Sequence, residues 1–213
     1  MSLPLQVGNP PEQTLIFHIT DVGNLESILD EGGLLPDAIM NGRENEKIGY
    51  DNIKERRLTQ TRIPCCGDKF VGEFVPFCFC PRTPMLFTIN KGNTGRPVGC
   101  QQTIVHLVGR MRKGMLTGSD WAISDVNAGT TYPSFSSDIG FLQTLDWEAI
   151  RAESWSGRAS QKAAEFLVAD FFPWSGFHQI GCHNSKVAEQ VRSLLQHQNH
   201  QPTVSVERSW YYT

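Results

Sequence analysis

The chain has 213 residues, 39% of them hydrophobic and 19% charged, which is enough to bury a core without disulfides and excludes disorder by composition. No apolar run reaches the roughly 18 residues that span a bilayer. The opening MSLPLQVGNPPEQ lacks the basic start and apolar middle of a signal peptide, so a cytoplasmic protein with no membrane partner is expected. The net charge of −3 argues against a nonspecific polyanion coat, yet the charge is unevenly spread. Residues 51–113 hold 11 Lys or Arg against 4 Asp or Glu, whereas 1–50 hold 2 against 8 and 114–213 hold 6 against 10. Cations concentrated in this way either share one face, where they steer a polyanion, or scatter over the surface. Both readings stand on the sequence.

No internal repeat, low-complexity tract or long linker divides the chain, so one domain over 1–213 is expected, with 1–13 as a flexible N-terminus. Leu15 to Thr20 is β-rich and predicts a strand. Val22, Leu25, Ile28 and Leu29 recur at helical spacing behind Asp21, a candidate cap, and Gly32-Gly33 supplies the stop. Residues 36–49 are polar and read as a loop, followed by a short helix from Asp51 to Thr59. Further strands are expected at Phe74–Cys80, Met85–Asn90, Thr103–Val108, Trp121–Ser124, Ala164–Val168, Phe177–His183 and Val204–Glu207. Helices are expected at Trp147–Trp155 and Ser185–His197. Strands and helices without regular βαβ alternation indicate an α+β fold.

Generic motifs are missing: the sequence holds no P-loop, HExxH, GxSxG or GxGxxG. Of the six cysteines, Cys65-Cys66 are adjacent and Cys78 and Cys80 are separated by one residue, so neither pair has zinc-knuckle spacing and no metal is expected. Reduced thiols are the simpler reading. His18 alternates with Phe17 and Ile19, which puts it with Thr20 on the other face of its strand, towards solvent or a cleft. Glu165 is a lone carboxylate in the apolar run AEFLV. It must face water, find a partner, or be placed for a task. Arg56-Arg57 in IKERR offer rigid guanidinium forks suited to phosphate, or form a solvated helix face. Two prolines flank Arg82 and Thr83 in PRTPM and make a rigid corner there.

In order, the segments FHITDVGNLESILDEGGLL, YDNIKERR, VPFCFCPRTPMLF, TIVHL, WAISDVNA, DWEAIRAESW, KAAEFLV, FPW and WYY resemble the DarT family of DNA ADP-ribosyltransferase toxins. Each segment is weak by itself, but their shared order from about residue 15 to residue 212 is specific. The resemblance implies the split, twisted β-sheet of diphtheria-toxin-like and poly-ADP-ribose-polymerase-like enzymes, with NAD in the cleft. It also implies transfer of ADP-ribose to a base of single-stranded DNA, most often thymine, and a macrodomain antitoxin partner, DarG. On the family's pattern, Glu165 matches the catalytic glutamate and Arg57 the essential arginine. His18, Thr20, Asn24, Tyr50, Met85 and Arg57 itself fall at NAD-side positions. Arg82 and Asn127 fall where DNA is read, and Arg62 and Lys91 are candidates for its backbone, with Lys69, Arg96 and Arg110 beside them in the basic segment. Two departures stand out: Cys78 replaces a common tyrosine, and Asn127 stands where some relatives carry histidine.

Rival readings are the same chemistry on guanine, on RNA or on protein. An NAD glycohydrolase that uses water as acceptor is another, and a single-strand-binding module without catalysis is a third. Glu165 counts against the last, because binding a polyanion does not call for a carboxylate.

Overall fold

The computed structural model describes residues 10–40, 42, 46, 48 and 51–213, without the side chains of residues 51 and 52. Its strands are β1 Leu15–Asp21, β2 Gly33–Leu34, β3 Arg62–Ile63, β4 Lys69–Phe70, β5 Phe74–Cys78, β6 Ile104–Arg110, β7 Trp121–Ser124, β8 Phe135–Ser136, β9 Glu165–Ala169, β10 Phe172–Pro173, β11 Phe177–Cys182 and β12 Thr203–Val206. Its α-helices are α1 Leu25–Asp30, α2 Asp37–Met40, α3 Asp51–Thr59, α4 Pro84–Asn90, α5 Met111–Met115, α6 Trp147–Arg151, α7 Ala159–Lys162 and α8 Ser185–Leu195.

Eight strands form one sheet in the order β12-β11-β6-β1-β5-β9-β7-β8, antiparallel except for the β11–β12 pair. The sheet is split. β1 pairs with β6 over its whole length, from Leu15↔Arg110 to Asp21↔Ile104, but meets β5 only at Phe17↔Cys78. Pro76 in the middle of β5 explains part of this. His18 Nδ1 lies 2.9 Å from the Pro76 carbonyl, so that carbonyl faces β1. In extended backbone a residue's N–H and C=O point the same way, so the donor that proline lacks is missing from the β1 side. A side-chain bond from His18 spans the divide instead.

Both faces of β1 are covered. Ile16 joins the larger core with Phe77, Phe166, Phe172 and Phe177, while Phe17 and Ile19 join a second layer with Leu86, Ile89, Trp210 and Tyr211. His18 and Thr20 therefore do not face open solvent as a pair: Thr20 is buried and His18 half-buried. The apolar run of β6 is buried from Ile104 to Gly109, as a strand covered on both faces should be. The C-terminal Trp210 closes over β11 at Gly181. A Cβ there would stand 2.3 Å from the Trp210 ring, so only glycine lets the ring seat.

Two predicted elements are corrected. Met85–Asn90 is not a strand but part of α4, because Thr83 caps it by accepting from the Leu86 N–H at 3.1 Å and Pro84 sits at its first turn. Those capping signals outweigh the β-branched content of the segment. The predicted loop at 36–49 contains α2 at Asp37–Met40. Of the expected flexible N-terminus, residues 1–9 lie outside the described residues, and Pro11–Gln13 form a 3-10 turn whose Gln13 carbonyl accepts from Arg110 at 2.9 Å. No described helix is long and apolar enough to cross a membrane.

Candidate active site

Glu165 opens β9, directly opposite Cys78 of β5 on one side and Ser124 of β7 on the other. Its backbone N–H donates to Ser124 Oγ at 3.2 Å, and Ser124 in turn donates to the Val126 carbonyl at 2.7 Å. The residue is only 3% exposed. A carboxylate so placed needs partners, and Arg57 supplies them. Its Nη1 is 3.0 Å from both carboxylate oxygens and its Nη2 is 3.0 Å from Oε2. The Ala128 N–H donates to Oε1 at 3.0 Å. The sequence left Glu165 to face water, find a partner, or be placed for a task. The structure gives it a partner 108 positions away in the chain.

Arg57 reaches this point from the last turn of α3 and is itself buried. Burial works against its charge, and the Glu165 carboxylate more than offsets that, holding the guanidinium above its ordinary value. A buried pair of this kind contributes little net stability, because desolvation consumes most of the attraction. What the contact achieves is placement. Removing either partner leaves the other charged and buried, at a cost of about 3–5 kcal/mol.

The other residues singled out in the sequence lie on β1, β3, α4 and the adjoining loops. Burial lowers the His18 imidazole below its ordinary value, although the Pro76 carbonyl opposes this. With Nδ1–H donating to that carbonyl, Nε2 is left as an acceptor. Asn24 donates to Thr20 Oγ1 at 3.1 Å and to the Glu46 carbonyl at 3.0 Å, and accepts from the Glu46 N–H at 2.8 Å. It therefore ties the end of β1 to Glu46. Asn127 accepts from the Gly129 N–H at 2.8 Å and shapes the loop whose Ala128 touches Glu165. Met85 stands 39% exposed on the first turn of α4. The Arg82 guanidinium lies over the Tyr212 ring at 4.8 Å, and Lys91 over Phe87 at 5.3 Å. Arg62 lies over Phe70 at 3.8 Å and donates to the Asp68 carbonyl at 2.7 Å. Tyr50 lies outside the described residues.

The basic segment is less available than its charge suggested. Lys69 pairs with Asp120 at 3.0 Å, Arg96 pairs with Asp21, and Arg110 holds the Gln13 carbonyl. Each of the three has a partner within the chain.

Sequence reasoning missed Ser124, the Ala128 N–H and Lys162. Lys162 is buried, and its Nζ donates to the Ile150 and Ala152 carbonyls at 2.8 Å each, closing the end of α6 just ahead of Glu165. Nothing in AEFLV announces these partners, since each is set by register or by a loop path. Cys78, noted in the sequence as a departure, stands beside the pair. Burial, and then the Glu165 charge, push its thiol well above the usual range, so it is neutral. Among the described residues no His, Cys, Asp or Glu group is arranged to hold a metal.

The same architecture occurs in solved proteins. Thermus sp. 2.9 DarT in complex with ADP-ribosylated ssDNA superposes with a TM-score of 0.88 over 100% of both chains at 33% identity. Thermus sp. 2.9 DarT in complex with NAD+ does so with a TM-score of 0.83 over 96% of this chain and 100% of its own, at 31% identity. The Thermosipho africanus DarTG in complex with ADP-ribose is 21% identical, with a TM-score of 0.69 over 93% of this chain and 51% of its own, and supports the fold only. In sequence, a DNA ADP-ribosyl transferase of Thermus aquaticus is 38% identical over 99% of this chain and 94% of its own length. These matches, to a chain with a split sheet and a buried arginine–glutamate pair, place it in the class of ADP-ribosyltransferases. A family model described as ssDNA thymidine ADP-ribosyltransferase, DarT, matches residues 17–212, and the chain belongs to that family.

Proposed function

We propose that Glu165 and Arg57 carry the transfer of ADP-ribose from NAD to a thymine of single-stranded DNA, with release of nicotinamide. The observation that supports this most is the buried contact of three hydrogen bonds between them at the start of β9. A carboxylate has about four acceptor positions, and Arg57 together with the Ala128 N–H fills them. When a ribose hydroxyl bonds to Glu165 it displaces the shared Nη1 contact, while Nη2 and the Ala128 N–H keep the carboxylate aimed. Nicotinamide leaves with the bonding electron pair, positive charge builds on the ribose, and the placed carboxylate stabilises it. A ring nitrogen of the base then bonds to the ribose carbon and its proton passes to solvent water. Arg57 contributes charge and not basicity, since a guanidinium does not deprotonate in proteins.

On this reading His18, Thr20, Asn24, Tyr50 and Met85 hold NAD, and Arg82, Asn127, Arg62 and Lys91 meet the DNA. The exposed cations over aromatic rings at Arg62 and Lys91 support the second group. Unstacking the acceptor base costs a few kcal/mol in duplex and little in a single strand, which favours single-stranded DNA. The chain acts as one catalytic domain, because strands from both of its ends pair in the same sheet. A macrodomain antitoxin, DarG, is its partner, as membership of this toxin–antitoxin family implies. A cytoplasmic location suits six cysteines that form no disulfide.

The test is mass spectrometry of short oligonucleotides after incubation with NAD. A gain of one ADP-ribose is expected on T-only strands and not on G-only strands. Glu165→Gln, which keeps the shape and an acceptor for Arg57, should lose the gain while circular dichroism stays unchanged, and full activity of that variant would remove Glu165 from the chemistry.

A further inference from the structure

The end of α3 that carries Arg57 also forms one side of a polar groove of about 710 Å³. One wall is the end of α3 and β3, with Arg56, Gln60 and Arg62. The other is the turn 130–135, with Tyr132 and Phe135. Two guanidinium groups line it, and no Asp or Glu is among the described residues that do. Tyr132 is 90% exposed. A large ring held in water by a well-tied turn is out of place unless it meets something.

The turn is tied at several points. The Asp125 carboxylate accepts from the Ser134 N–H at 2.9 Å, and the Thr130 hydroxyl donates to the Asn127 carbonyl at 2.8 Å. Arg56 Nη1 donates to the Gly129 carbonyl at 2.9 Å and so joins the two walls. Pro133 restricts Tyr132 to extended backbone. The Arg62 guanidinium is fixed by the Phe70 ring and the Asp68 carbonyl. Little ordering entropy therefore remains to be lost on binding. Single steps along the chain join the groove to the reaction centre. Ala128, which donates to Glu165, is next to Gly129, and Arg57, which pairs with Glu165, is next to Arg56.

We propose that this groove is a subsite for a nucleotide flanking the acceptor base, with the Tyr132 ring as the stacking platform and Arg56 and Arg62 meeting the sugar-phosphate backbone. The proposal rests on the reading that the acceptor is single-stranded DNA. An exposed ring between cations suits an unstacked base on a polyanion, since every base offers a π-face to stack. It follows that the enzyme takes short strands in preference to single nucleotides, and that Tyr132 acts on acceptor affinity and not on the bond-breaking step.

The test compares wild type, Tyr132→Ala and Tyr132→Trp, with a thymine-containing decamer and with thymidine 5′-monophosphate as acceptors. Decamer binding without NAD is measured in parallel by fluorescence anisotropy. Tyr132→Ala should raise KM and Kd for the decamer about tenfold with kcat unchanged, and Tyr132→Trp should restore both. Transfer to the mononucleotide and nicotinamide release without DNA should stay at wild-type level. Unchanged decamer affinity in Tyr132→Ala would overturn the proposal. So would a loss confined to kcat, or an equal loss on both acceptors. A loss of binding to a purified macrodomain protein with decamer affinity intact would overturn it in favour of a protein-docking role for the turn. Tyr132-dependent decamer binding by a wild type that transfers nothing would uphold the subsite and refute the reading of the function.

Discussion

Arg57 and Glu165 meet through three nitrogen–oxygen contacts of 3.0 Å, and the geometry of that fork sets what each residue tolerates. Lysine carries the same charge as a single point and cannot grip both carboxylate oxygens from one plane. Arg57→Lys should therefore keep the buried charge balanced and the fold intact, yet lower kcat on the order of hundredfold, because the carboxylate loses its fixed aim. The check is single-turnover transfer from labelled NAD beside a thermal melt. A variant with unchanged kcat would reduce Arg57 to a counter-charge. Arg57→Ala is a poorer probe, since it strands a buried carboxylate and confounds activity with stability. His18 illustrates the limit of period-two reasoning at this scale. Alternation assigned its face correctly with Thr20, but what that face meets, the Pro76 carbonyl across a split in the sheet, is a property of the neighbouring strand.

At the scale of elements, α4 is the instructive case. Its residues PMLFTIN carry enough apolar and β-branched content to suggest a strand, and the helix is decided by the Thr83 cap and by Pro84 in the first turn. Thr83 is 1% exposed, so its hydroxyl has no water to replace the Leu86 N–H. Thr83→Ala should destabilise the protein by about 1 kcal/mol, and more if the buried cap leaves a cavity. Urea unfolding with an unchanged m-value would measure this. Thr83→Ser should recover most of the loss, and if it does not, the cap is not what holds α4. The element matters to the site because Arg82 and Met85 lie at its start. α3 was legible from the outset, with bounds at Asp51 and Thr59, but its polarity gave no sign that Arg57 of all its charges points inward.

For the whole molecule, the sheet is held at its centre by His106 on β6. Its Nε2 lies 3.0 Å from the Pro81 carbonyl and its Nδ1 lies 3.2 Å from the Tyr211 hydroxyl, so one ring links the corner before α4 to the C-terminal segment. Burial pushes this imidazole down from 6.5 to about 4, with the Pro81 carbonyl opposing. The unfolded chain therefore binds more protons than the folded one between those values. Stability is complete above about pH 6.5 and falls as the pH drops towards 4, by roughly 3 kcal/mol over that span. His18, lowered by burial as well, acts in the same sense. Urea midpoints at pH 7 and pH 4.5 would read this loss, and it should be much smaller in His106→Asn. An equal loss in that variant would assign the acid sensitivity to other groups.

Composition, capping and periodicity determined most of the elements and the α+β class, because those depend on what lies within one turn or one strand. The ordered segments also determined the family, since their order along the chain is itself a sequence property. What AEFLV and IKERR did not contain was their meeting. That depends on strand register, which puts Glu165 between Cys78 and Ser124, and on a loop that brings the Ala128 N–H to the carboxylate. The basic segment shows the same boundary from the other side. Its charge was countable in the sequence, but only the tertiary structure decided that Lys69, Arg96 and Arg110 bind internal partners while Arg56 and Arg62 line a groove. Counting charge needs no coordinates. The partner of each charge is fixed by distances between segments far apart in the chain, and folding alone sets those.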